Sequence, residues 1–103
     1  METLHYEYQG NKPLERRAHV GVVASGDLEI LFEPSDDLST KVKIRTGSEG
    51  FAEIWKKVLD RFFAMNDVAA RIEINDFGAT PGVVSMRLAQ ALEVSRDHEN
   101  NEK

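Results

Sequence analysis

Ser25 lies in the run Val20-Gly21-Val22-Val23-Ala24-Ser25-Gly26-Asp27-Leu28-Glu29, and its hydroxyl is the group whose setting most invites covalent chemistry. Two apolar stretches flank the Ser-Gly-Asp break, which is the sequence form of two strands meeting at a tight turn. Counted in twos, Ala18, Val20, Val22 and Ala24 share one face, and Leu28, Ile30 and Phe32 share one face of the next strand. Pairing Ala24 with Leu28 leaves Ser25-Gly26-Asp27 as the loop and puts both apolar sets on one side. Pairing Ser25 with Leu28 would set a hydroxyl opposite a core residue. The register thus predicts Ser25 at a hairpin tip with its hydroxyl toward water. Ser, Gly and Asp are also the ordinary residues of turns, so the tripeptide by itself names no activity.

The chemistries a serine could enter are quickly narrowed. As a hydrolase nucleophile Ser25 needs a base, but His19 lies six residues back on the same strand, roughly 20 Å away at ~3.3 Å per residue. His5 could approach only through the fold, and His98 sits in a polar tail. Asp76-Phe77-Gly78 matches the kinase tripeptide in letters, yet neither a glycine-rich loop nor a catalytic loop accompanies it. No His, Asp or Glu spacing suggests a metal site, and there is no cysteine. The domain reads as catalytically empty.

The elements that must position Ser25 follow from periodicity. Thr3–Tyr8 alternates, with Leu4, Tyr6 and Tyr8 on one face, and 41–45 alternates with Val42 and Ile44 inward. Residues 9–17 carry Gly10, Asn11, Pro13 and four charges and read as a loop. After Gly50 the period changes from two to about 3.6: Phe51, Ile54, Trp55, Val58, Leu59, Phe62 and Phe63 form an apolar stripe, the core face of a helix. A short strand follows with Ile72 and Ile74 inward. Thr80-Pro81 then reads as cap and first residue of a last helix that buries Val84, Leu88 and Ala91 or Leu92. The order predicts an α+β domain in two layers, a mostly antiparallel sheet with two helices on one face. It spans residues 1–94, with 95–103 a polar tail expected to fray.

At 103 residues the chain is one domain, 41% hydrophobic and 30% charged, with a net charge of -5. No basic stripe invites nucleic acid, no apolar run approaches the ~20 residues of a membrane span, and the start does not read as a secretory signal. Together with the absence of cysteine, this leads to the expectation of a cytoplasmic protein.

The run Val20–Glu29 and a second, Asn75-Asp76-Phe77-Gly78-Ala79-Thr80-Pro81-Gly82-Val83-Val84, resemble the acyl carrier (delta) subunit of malonate decarboxylase, and the likeness extends over nearly the whole chain. The resemblance implies a non-catalytic carrier with a covalent prosthetic group, 2'-(5''-phosphoribosyl)-3'-dephospho-CoA, on Ser25, with Gly26 and Asp27 beside it. Acetyl and malonyl groups would ride on its thiol. The implied partners are the acyl transferase and decarboxylase subunits of the same complex and the transferase that attaches the group. The related carrier of citrate lyase shares that prosthetic group, but the second run favours malonate decarboxylase. A non-catalytic assembly subunit with an unmodified serine is the alternative of a different class. Asp76, Phe77, Gly78 and Thr80 are then candidates for docking another subunit. Alternatively their loop borders the prosthetic phosphates, since a helix start offers free N–H groups to an anion.

Overall fold

Alternation on five segments and helical spacing on two sort the chain into one sheet and two helices. The computed structural model describes residues 1–12, 21–24, 26–35 and 37–100, with 21–24 and 96–100 as backbone only. Its elements are β1 (Glu2–Gln9), β2 (Gly21–Ala24), β3 (Leu28–Pro34), β4 (Ser39–Thr46), α1 (Ala52–Met65), β5 (Ala70–Asp76) and α2 (Pro81–Asn100). Ser25, His19 and the expected strand residues Ala18 and Val20 lie outside the described residues.

The sheet runs in the order β1-β4-β5-β3-β2. The β4–β5 pairing is parallel and the other three are antiparallel. The parallel pair exists because α1 carries the chain from the end of β4 back to the start of β5, the kind of crossover that a parallel neighbour requires. This is the expected two-layer α+β domain, with both helices on one face. Its centre is β5, while β2 is an edge strand. In the register, Ile30 faces Ile74 and Ile74 faces Ile44, while Phe32 faces Ile72 and Ile72 faces Val42. These six side chains are almost fully buried, at roughly 1.5–3 kcal/mol each. Lys41, Lys43, Arg71 and Glu73 alternate with them on the open face.

Trp55, Leu59 and Phe62 of α1 close over this layer, with Val58 and Phe63 partly buried beside them. The buried stripe is narrower than the sequence suggests, because Phe51 and Ile54 stay 44% and 41% exposed. Val84, Leu88, Ala91 and Leu92 of α2 are buried as expected. Thr80 caps that helix, its Oγ1 accepting the Val83 N–H at 3.3 Å. Ser95 is also buried, donating to the Ala91 carbonyl, and α2 continues as helix to Asn100.

The β2–β3 register differs from the expectation by one residue. Ala24 pairs with Glu29, not Leu28. Leu28 instead stands opposite Asp76 of β5 and is fully buried. β3 is held from its inner side by β5, so it begins one residue before its pairing with the edge strand does. Four residues, Ser25 to Leu28, therefore separate the last β2–β3 pair.

Candidate functional site

The two runs singled out in the sequence meet at one end of the sheet. Leu28 is in register with Asp76, and the Phe77 N–H donates to the Asp27 carbonyl at 2.9 Å. The turn after β2 and the turn between β5 and α2 are thus joined through their backbones. Gly26 is exposed and Asp27 half-buried. A Cβ built on Gly26 would have no atom within 4 Å, and its φ lies outside the left-handed range. The fold makes no demand for glycine there. Gly78 is different: its φ of +124° is one that other residues rarely adopt.

Asp76 holds the second turn together from inside. The residue is 5% exposed. Oδ1 accepts the Gly78 and Ala79 N–H groups at 3.0 and 2.8 Å, and Oδ2 accepts the Thr46 hydroxyl at 2.8 Å. Thr46 Oγ1 in turn accepts the Ser48 N–H at 3.1 Å. Asp76 thus fastens the turn that leads into α2 and ties it to the end of β4, while the cap of α2 itself is Thr80. Phe77, between these anchored residues, projects outward at 63% exposure, and Gly78 and Thr80 are exposed beside it.

Behind this rim, between the starting turns of α1 and α2, opens a groove of about 180 Å³. Phe51, Ile54, Trp55, Val58 and Val84 make its apolar wall, and Thr46, Ser48, Asp76 and Gly78 its polar margin. Sequence reading missed it, because its walls come from four separate elements. The exposed edge of the α1 stripe at Phe51 and Ile54 is the one signal that could have pointed there.

His5 sits on the open face of β1, at the far edge of the sheet from β2. Four strand spacings make that about 19 Å, too far for a base to the turn. Among the described residues no group of three His, Cys, Asp or Glu could hold a metal ion, and no helix is long and apolar enough to cross a membrane. A titratable pair lies away from the site: Tyr8 Oη donates to Asp60 Oδ1 at 2.6 Å, and Lys56 Nζ to Asp60 Oδ2 at 2.9 Å. The Tyr8 bond first, then the Lys56 ammonium, holds the Asp60 carboxyl below its ordinary range. Burial, then the bond to Asp60, pushes the Tyr8 phenol up.

The family model for the malonate decarboxylase delta subunit (MdcD), an acyl carrier family, matches residues 15–95. The malonate decarboxylase acyl carrier protein of Azotobacter vinelandii is 47% identical over 94 residues, covering 90% of this chain and 95% of that protein. Its counterpart in Pseudomonas syringae pv. syringae is 46% identical over the same span. Among solved structures, a chain of a Pseudomonas malonate decarboxylase hetero-tetramer crystallised with malonate superposes with a TM-score of 0.76 at 42% identity, covering 91% of this chain and 99% of that one. With a family model matching residues 15–95 and relatives 46–47% identical over 94 residues, the chain belongs to the malonate decarboxylase delta-subunit family of acyl carrier proteins.

Proposed function

We propose that the chain is the acyl carrier subunit of a malonate decarboxylase, with 2'-(5''-phosphoribosyl)-3'-dephospho-CoA attached through a phosphodiester to Ser25. The carrying observation is that the Ser-Gly-Asp turn and the Asp76–Thr80 turn, the two runs that carry the resemblance, are joined at one end of the sheet by the Phe77 N–H to Asp27 carbonyl bond. The surroundings suit such a group. Space around Gly26 is open, so an attaching enzyme can close on the neighbouring hydroxyl. The prosthetic group, when bound, supplies a thiol that holds acetyl or malonyl as a thioester.

This chain's residues then have mechanical tasks. The β2–β3 turn presents the attachment point, and Asp76 fixes the adjoining turn so that Phe77 faces outward. Tethering raises the acyl group's concentration at each partner site toward millimolar without new contacts. The subunit does no chemistry of its own: an acyl transferase subunit exchanges acetyl for malonyl, and decarboxylase subunits release carbon dioxide. The setting is cytoplasmic. The exposed Phe77, with Gly78 and Thr80 around it, is the surface that docks those partners.

Peptide mass spectrometry of protein purified from its host tests the attachment. The adduct is expected on Ser25, and Ser25→Ala should abolish loading while shifting stability by less than ~0.5 kcal/mol. An adduct on another residue overturns the assignment. Protein that stays unmodified in the presence of its transferase would make it an assembly subunit instead.

A further inference from the structure

We propose that the groove between α1 and α2 shelters the acetyl-loaded end of the prosthetic arm and rejects the malonyl-loaded end, so that the carrier itself sorts the two states. This rests on Ser25 as the attachment point. Position is the first argument. Ala24, the residue before Ser25, pairs with Glu29, and Glu29 with Asn75. Two strand spacings therefore bring the chain within about 10 Å of the β5 end that borders the groove. The Asp27–Phe77 backbone bond locks the two turns at that separation.

Chemistry is the second. The groove's wall is Phe51, Ile54, Trp55, Val58 and Val84, and its lining contains no Lys, Arg or His. Phe51 and Ile54 hold their apolar surface open to water, surface that a small neutral group would cover favourably. An acetyl thioester ends in a methyl and matches this wall. A malonyl thioester ends in a carboxylate, and the one charged lining residue is Asp76, itself acidic. A second carboxylate there would lose its hydration with no counter-ion and beside a like charge. The volume of about 180 Å³ suits the end of the arm rather than its nucleotide. The acetyl form is therefore held against the carrier, and the malonyl form stays free for a partner.

The test uses the full chain in thiol, acetyl and malonyl forms, with loading at Ser25 first verified by mass. Trp55 is the chain's sole tryptophan and lines the groove, so its fluorescence reports on the groove wall, and the amide shifts of Ile54 and Gly78 map the contact. Acetyl loading should move both signals, and malonyl loading should leave them as in the thiol form. Exchange of acetyl onto a small free thiol should be about fourfold slower from the carrier than from acetyl-coenzyme A, the factor that burying one methyl-sized group supplies. Malonyl exchange should match malonyl-coenzyme A. Ile54→Lys, a change at an exposed position, places a cation at the rim and should extend the protection to malonyl. Verified loading on Ser25 with an unmoved Trp55 and no protection of acetyl overturns the sorting groove and leaves the carrier reading intact, as does equal protection of both acyl groups in the unaltered chain. Absence of an adduct on Ser25 overturns both.

Discussion

Nothing in the backbone requires glycine at position 26, where an added Cβ meets open space. Gly26→Ala should therefore fold normally. If the small residue serves the attaching enzyme, loading of Ser25 should slow by about tenfold, equivalent to ~1.4 kcal/mol of lost fit in the transition state. Loading at the original rate would remove the access role. Phe77 presents the matching question, being a large aromatic 63% exposed beside a firmly anchored turn. Phe77→Ala should change stability by no more than ~0.5 kcal/mol. As an anchor at the interface it should weaken binding to the partner subunits by about 2 kcal/mol, roughly thirtyfold in Kd. Calorimetric titration with the purified partners reads this, and an unaltered Kd ends the docking role of Phe77.

At the scale of elements, the turn between β5 and α2 depends on one buried carboxylate. Asp76→Ala would strand the Gly78 and Ala79 N–H groups and the Thr46 hydroxyl. A buried group left without its partner costs ~1–3 kcal/mol, so urea denaturation should show a loss of about 3 kcal/mol. Asp76→Asn retains an acceptor oxygen for the two N–H groups and should lose distinctly less. Equal losses in the two variants would mean that charge, rather than the turn's hydrogen bonds, makes Asp76 important. The same element shows why sequence reading left the segment open between docking and the prosthetic phosphates. Thr80-Pro81 explains the helix start alone, and the bond from Thr46 to Asp76 appears only once the end of β4 is alongside.

For the molecule as a whole, α1 is fastened to the outer strand β1 through Tyr8 and Asp60, with Tyr6 Oη also donating to the Ala52 carbonyl at 2.7 Å. Because the Asp60 carboxyl is held below its ordinary value of 3.8, its contribution is present above that pH and fades as the pH falls through the lowered value. The gap in stability between wild type and Asp60→Asn should thus be constant near neutrality and close as the solution is acidified below about pH 4. A gap that is independent of pH would show that the carboxylate's charge plays no part. Tyr8 works in the other direction: its raised phenol contributes below its ordinary value of 10.0 and is lost above its folded value.

The element types and their order were legible because each rests on local spacing. Leu4, Tyr6 and Tyr8, or Val42 and Ile44, can share a face only in a strand, and Trp55, Leu59 and Phe62 only in a helix. The cap at Thr80 and the turn at Gly26-Asp27 are equally local. What tertiary structure decided is which strands are neighbours. Placing β5 at the centre set the start of β3 at Leu28 and moved the β2–β3 register by one residue, because pairing energy on the inner side outweighs symmetry of the hairpin. It also brought the turn at Asp27 against Phe77, put Asp76 under Thr46 and opened a groove between two helix starts. Each of these joins residues some twenty to fifty positions apart. Such contacts leave no periodic trace in a single chain, since their cost is loop closure and their gain is shared burial across the whole sheet.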